Sequence, residues 1–106
     1  MSIKRLPMSL SISGVFYEPI RFEELPIPDS GSTSLTLNGD ELVGLIGIKG
    51  KGIFFRCDGG VPAADAGHYF GAGSFMTLGV QSLQGFRAVG CATEAGSARL
   101  TISYEK

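Results

Sequence analysis

The chain has 106 residues, 43% of them hydrophobic, with nine Lys and Arg against ten Asp and Glu for a formal net charge of −1. That length suits one domain, which at this size buries roughly 65% of the surface its unfolded form exposes. The near-zero balance, without a basic block, argues against binding a run of phosphates, and nowhere do ~18 apolar residues run together as a membrane span would require.

Sixteen glycines are about twice the average share of ~7%. Without a Gly-X-Y period they predict many turns and bulges. The first residues carry Lys4 and Arg5 but no continuous apolar stretch, so no cleaved secretory signal is expected. Cys57 and Cys91 sit in apolar strand-like runs without the short spacing of a zinc site, and each reads as a small buried hydrophobe. Whether they pair is open, and a bacterial cytosol would leave them reduced.

In chain order, Ser9 to Phe16 alternates serine with Leu10, Ile12 and Gly14, the period of a half-buried strand. Ile20 to Phe22 is a short second candidate. Leu25 to Ser32 holds two prolines and reads as the break between an N-terminal arm and the main body. Asn38-Gly39, between Ser34 to Leu37 and Glu41 to Ile48, predicts a hairpin. Glu41 to Ile48 is apolar on both faces, as expected of a central strand. Gly50-Lys51-Gly52 turns the chain into Ile53 to Cys57, which Asp58-Gly59-Gly60 closes. Phe75 to Leu78, Phe86 to Thr93 and Ala98 to Glu105 follow, the last with Leu100, Ile102 and Tyr104 toward a core and Arg99, Thr101, Ser103 and Glu105 toward water. No stretch has the pattern of an amphipathic helix. The fold expected is all-β: an antiparallel β-sandwich of about eight short strands, jelly-roll-like, with an extended arm. Residues 1–32 would form the arm and first strands and 33–106 the main sandwich, within a single domain.

Enzyme readings fail on spacing. Gly44 to Gly52 looks superficially like a phosphate loop, but the pattern needs Gly and Ser or Thr where Leu45 and Gly52 stand. Gly71-Ala72-Gly73 lacks the third glycine of a dinucleotide site and its βαβ setting. His68 is the lone histidine, and Asp58 or Asp65 could orient it, but a single His in a Gly/Ala-rich loop reads as a loop anchor. Glu18, Glu23 and Glu24 lie in the arm and read as solvated or salt-bridging carboxylates. No catalytic, cofactor or metal residues are assigned.

Ile3, Leu6, Met8 and Leu10 cannot all bury within so short a segment, so the arm either orders on a neighbouring subunit or forms an edge strand of its own domain. With Lys4 and Arg5 it supplies partner-contact candidates, as do Arg56 and Arg87, which alternate with apolar strand residues and can face outward toward carboxylates. In the turn, Asp58 can accept backbone N–H bonds, Gly59 and Gly60 can supply positive φ and Pro62 can stiffen the exit, with His68 pegging the loop that follows.

The run DGGVPAADAGHYFGAG at Asp58 to Gly73, the strand at Phe75 to Leu78 and the run Gly85-Phe86-Arg87-Ala88-Val89 resemble small structural proteins of tailed bacteriophages. In those chains an Asp-Gly-x-x-Pro-x-Ala turn follows an aromatic and basic strand, and Phe-Arg-Ala-Ile/Val opens a late one. The likeness covers residues 53 to 104. It implies a non-enzymatic virion protein that contacts the major capsid protein or other virion proteins and self-associates as a dimer or trimer: a capsid decoration or cement subunit, or a head, neck or tail accessory. The other reading is a β-sandwich module that binds a host surface or carbohydrate, for which the chain has no Trp and only Tyr17, Tyr69 and Tyr104 as tyrosines.

Overall fold

The computed structural model describes residues 11–12, 15–16 and 18–106. β1 (Ser11–Ile12) and β2 (Val15–Phe16) pair with each other, so the single strand expected over Ser9 to Phe16 is instead, in its described part, two short strands folded back on one another. Eight further strands form two antiparallel sheets. The first holds, in order, β3 (Pro19–Ile27), β10 (Ala98–Glu105), β5 (Val43–Lys49) and β8 (Phe75–Gly79); the second holds β4 (Thr33–Ser34), β9 (Arg87–Gly90), β6 (Ile53–Arg56) and β7 (His68–Phe70).

The pairing is nested: β3 with β10, β4 with β9, β5 with β8, β6 with β7. Every connection from β3 onward changes sheet except that between β6 and β7. A long antiparallel ribbon wound in this way is a jelly-roll sandwich. Its core lies between the sheets, where Ile46, Ile48, Leu100 and Ile102 of the first meet Ile53 and Ala88 of the second and Phe86 beside it, all nearly inaccessible. Among the described residues no helix is long and apolar enough to cross a membrane.

Several local expectations change. β3 runs through Leu25 and Pro26 to Ile27, opposite Leu100, Arg99 and Ala98, so the break in the chain starts at Pro28 rather than Leu25. β3 is an edge strand, which needs ladder donors only at alternate positions and tolerates proline. Asn38-Gly39 is not a hairpin turn, since β4 pairs with β9 while β5 pairs with β10 and β8. Gly39 does turn with φ +103°, but within a crossover whose Leu35 and Leu37 pack on the core. His68 to Phe70, expected as loop, is the edge strand β7. A helix, α1 (Val80–Gly85), spans six residues and inserts Leu83 into the core; it is too short to carry a periodic signature. Glu105, expected to face water, is buried between the Pro19 and Val43 rungs. Cys57 and Cys91 are both free.

One end of the sandwich is closed by charge. The buried Glu41 carboxylate accepts Arg21 Nη1 at 2.6 Å, Asn38 N–H at 2.7 Å and Gly39 N–H at 2.9 Å. Arg21 also lies 4.0 Å over the Tyr104 ring, and the Tyr104 hydroxyl donates to Glu23 Oε1. Burial pushes the Glu41 carboxyl up, but bonds from the Asn38 N–H, Arg21 and the Gly39 N–H outweigh it and hold the group at about 2.

Because the folded carboxyl titrates below its ordinary value of 4.5, its contribution is complete above pH 4.5 and is lost as pH falls toward 2. The melting temperature is expected to hold from neutrality to about pH 5 and then drop. Glu41→Gln is expected to lose about 1.5–3 kcal/mol at pH 7, the range for hydrogen bonds to charged groups, and to flatten that acid slope. Thermal melts of both proteins across pH 2–7, roughly the window in which carboxylates titrate, test this.

Candidate functional site

Arg56 ends β6 and Arg87 begins β9, and the two stand directly opposite on the outer face of the second sheet. Like charges in that register repel, and the turn after β6 relieves the repulsion on one side. Arg56 grips Asp58 with both arms of its fork, Nε to Oδ1 at 3.0 Å and Nη2 to Oδ2 at 2.6 Å. The Gly60 N–H donates to the same Oδ1 at 3.0 Å. Arg56 first, and then that backbone bond, holds the Asp58 carboxyl at about 2.

Only Gly59 adopts positive φ, at +80°, where both glycines of the turn had been expected to. Gly60 is needed for a different reason: a Cβ there would sit 2.6 Å from Arg56 Cζ. Arg87 Nη1 reaches the Gly59 carbonyl at 3.4 Å and pairs with no carboxylate among the described residues.

His68 is exposed on β7 opposite Phe55, whose ring centroid is 5.4 Å away. It shares with Arg56, Cys57, Asp58, Ala66 and Gly67 an open depression of about 560 Å³. Burial, and then the charge of Asp58, pushes the Cys57 thiol up, which opposes a thiolate nucleophile. Pro62 is buried at the turn exit, followed by reciprocal backbone bonds between Ala63 and Ala66. Thus Arg56, Arg87, Asp58, Gly59 and Gly60 converge on one turn, with Pro62 and His68 on its flanks. Ile3, Lys4, Arg5, Leu6 and Met8 lie outside the described residues. No three metal-ligating side chains gather among the described residues.

Two surfaces were not foreseen from the sequence. On the outer face of the first sheet, one row reads Phe22, Ser103, Leu45, Thr77 and the next Glu24, Thr101, Gly47, Phe75. Phe22 and Phe75 are 63% and 71% exposed, two aromatic rings on a small-residue, hydroxyl-bearing floor. At one margin Glu24 accepts Lys49 Nζ at 2.9 Å and Arg99 Nη2 at 3.4 Å.

The outer face of the second sheet carries a cleft of about 350 Å³ between the 29–31 and 61–64 loops. Phe54, Val61, Pro62 and Val89 are among its apolar walls, and Asp29, Ser30 and Thr93 are its polar side chains. These come from four separate stretches, so no local motif could have announced it.

Compared with protein-family models, with curated proteins and with solved structures, the chain matches none.

Gly59 has open space around its Cβ position, so a side chain there is opposed by backbone strain alone. Gly59→Val is expected to lower stability by about 1–3 kcal/mol, Gly59→Asn by less because Asn tolerates the left-handed region, and exposed His68→Ala by no more than ~0.5 kcal/mol. Urea unfolding of the three variants gives the ranking.

Proposed function

We propose that this chain is a non-enzymatic structural subunit of a tailed-bacteriophage virion, a capsid decoration protein that binds the major capsid shell and reinforces it. The observation that carries this reading is the pair of exposed rings, Phe22 and Phe75, on a regular sheet face. The two rings stand on opposite edge strands of that face, so a flat partner lying across the sheet covers both. Fully burying a Phe side chain contributes about 1.5–3 kcal/mol, and many copies on one shell multiply a modest local gain.

Two further features support the reading. The turn at Asp58 and the strand at Arg87 carry the resemblance to virion proteins, and jelly-roll sandwiches recur in viral capsids, a fold-level analogy only. Arg87, on the outer face of the second sheet and with no carboxylate of its own among the described residues, suits an acidic side chain on a second copy of this chain seated beside it on the shell.

Mechanically, the subunit acts as a rivet. It spans neighbouring capsomers, and separating them then requires re-exposing apolar surface to water.

Purified protein is expected to bind emptied or expanded capsids to a saturating stoichiometry and to raise their disruption temperature. The double variant Phe22→Ser, Phe75→Ser should weaken attachment by about 2–4 kcal/mol per copy while leaving its own melting temperature nearly unchanged. Sedimentation of capsids with either protein tests this, and equal binding by both rejects the rivet.

Deleting residues 1–8 should weaken attachment more than it lowers the melting temperature of the free subunit. Equal affinity with and without the segment, in the same sedimentation assay, would remove it from the interface.

A further inference from the structure

Beyond capsid attachment, we infer that the cleft between the 29–31 and 61–64 loops binds a neutral saccharide ring. At about 350 Å³ it lies near the lower end of the roughly 300–1,000 Å³ typical of small-ligand sites. That is room for a ring or two, not for an extended chain.

Its chemistry is amphipathic in the way a pyranose is. Phe54 and Val89 face each other across the β6·β9 ladder and form an apolar floor. Tyr69 braces Phe54 edge-on, with ring centroids 5.6 Å apart. The hydrogen-bonding groups gather at the 29–30 side. Asp29 Oδ2 is fixed by Lys51 Nζ at 2.7 Å, and Lys51 is itself buried and anchored by the Glu94 carbonyl at 3.1 Å.

The second oxygen, Oδ1, lies over Gly90. A Cβ at Gly90 would come within 2.4 Å of it, so the absence of a side chain there makes its seat in the cleft. Ser30, itself exposed, also lines the cleft. The result is a carboxylate held by Lys51 whose other oxygen can accept from a ligand hydroxyl, with the Ser30 side chain, a donor or acceptor, in the same lining.

This arrangement discriminates among ligands. A purely apolar molecule would cover Asp29 Oδ1 without giving it a donor, a costly loss. An inorganic anion would meet that carboxylate, while the charge of Lys51 is already engaged. A cation would find the charge of Asp29 already matched. A neutral ring with hydroxyls on its edge and C–H groups on its face satisfies every group named.

The test uses the intact, capsid-free chain, so its failure is separate from failure of capsid attachment. Neutral monosaccharides (glucose, galactose, mannose, rhamnose and N-acetylglucosamine) are titrated to high millimolar concentration while backbone amide resonances are followed by NMR. At least one sugar should give saturable shifts at Gly90, Ala92 and Thr93. Asp29→Asn should weaken that binding about tenfold, as loss of a charge-assisted bond predicts, and Ser30→Ala by about threefold at an unchanged melting temperature. Gln84→Ala, exposed on α1 outside the cleft, should bind as the parent does. No shift with any sugar, or shifts that survive both cleft substitutions unchanged, overturns the inference. Should Asp29→Asn fail to fold, Ser30→Ala alone decides.

Discussion

The structure depends on β10 lying between β3 and β5. The C-terminal strand pairs with the N-terminal edge strand on one side and with β5 on the other, in eight and seven rungs. It sends Ala98, Leu100, Ile102 and Tyr104 into the core with at most 1% exposure. Among the described residues β3 has no other partner, so β10 is what joins it to the first sheet. Nested pairing of this kind joins residues far apart in sequence, so much loop-closure entropy must be spent before the core rewards it.

Winding the ribbon also forces the chain to cross between sheets at almost every connection, and crossovers lack ladder hydrogen bonds. The described charges answer that need. Glu41 with Arg21 holds the crossover from β4 to β5, and Lys51 with Asp29 ties the turn before β6 to the loop after β3. Glu94 reaches from the last crossover to accept the Gly52 N–H and the Tyr69 hydroxyl. Asp58 with Arg56 fixes the one turn of the second sheet's own hairpin. Surface ion pairs generally contribute little to stability. Here the buried members, Glu41 and Lys51, set loop geometry through several bonds at once, which a lone surface pair does not.

This division explains what was legible in the sequence. β5, β8 and β10 could be read because their side-chain pattern reports burial, which the sheet decides locally along each strand. The Asn38-Gly39 turn was visible and its partners were not: a turn dipeptide encodes a change of direction, whereas the choice of ladder is set by residues far along the chain, as in Gly47 opposite Phe75 and Ile46 opposite Ile102. β7 and α1, at three and six residues, each span fewer than two repeats of their own period, too few to reveal them. The turn at Asp58, Gly59 and Gly60 was legible because its residues are contiguous, whereas Arg56, expected to reach a partner's carboxylate, is taken up by Asp58 two positions on. The cleft was not, because Asp29, Phe54, Val61 and Val89 meet only once the ribbon is wound.

The same winding makes the two outer faces unlike. The first sheet has four strands of five to nine residues and presents uninterrupted rows of side chains, a surface suited to a flat partner. The second is built of strands of two to four residues, so its outer side is framed by loops, and loops rather than strands make a concavity. A subunit proposed to lie on a shell by its first sheet would therefore turn its cleft away from that contact. Attachment and saccharide capture would then use opposite faces of one core, and a substitution on one face would leave the other's chemistry in place.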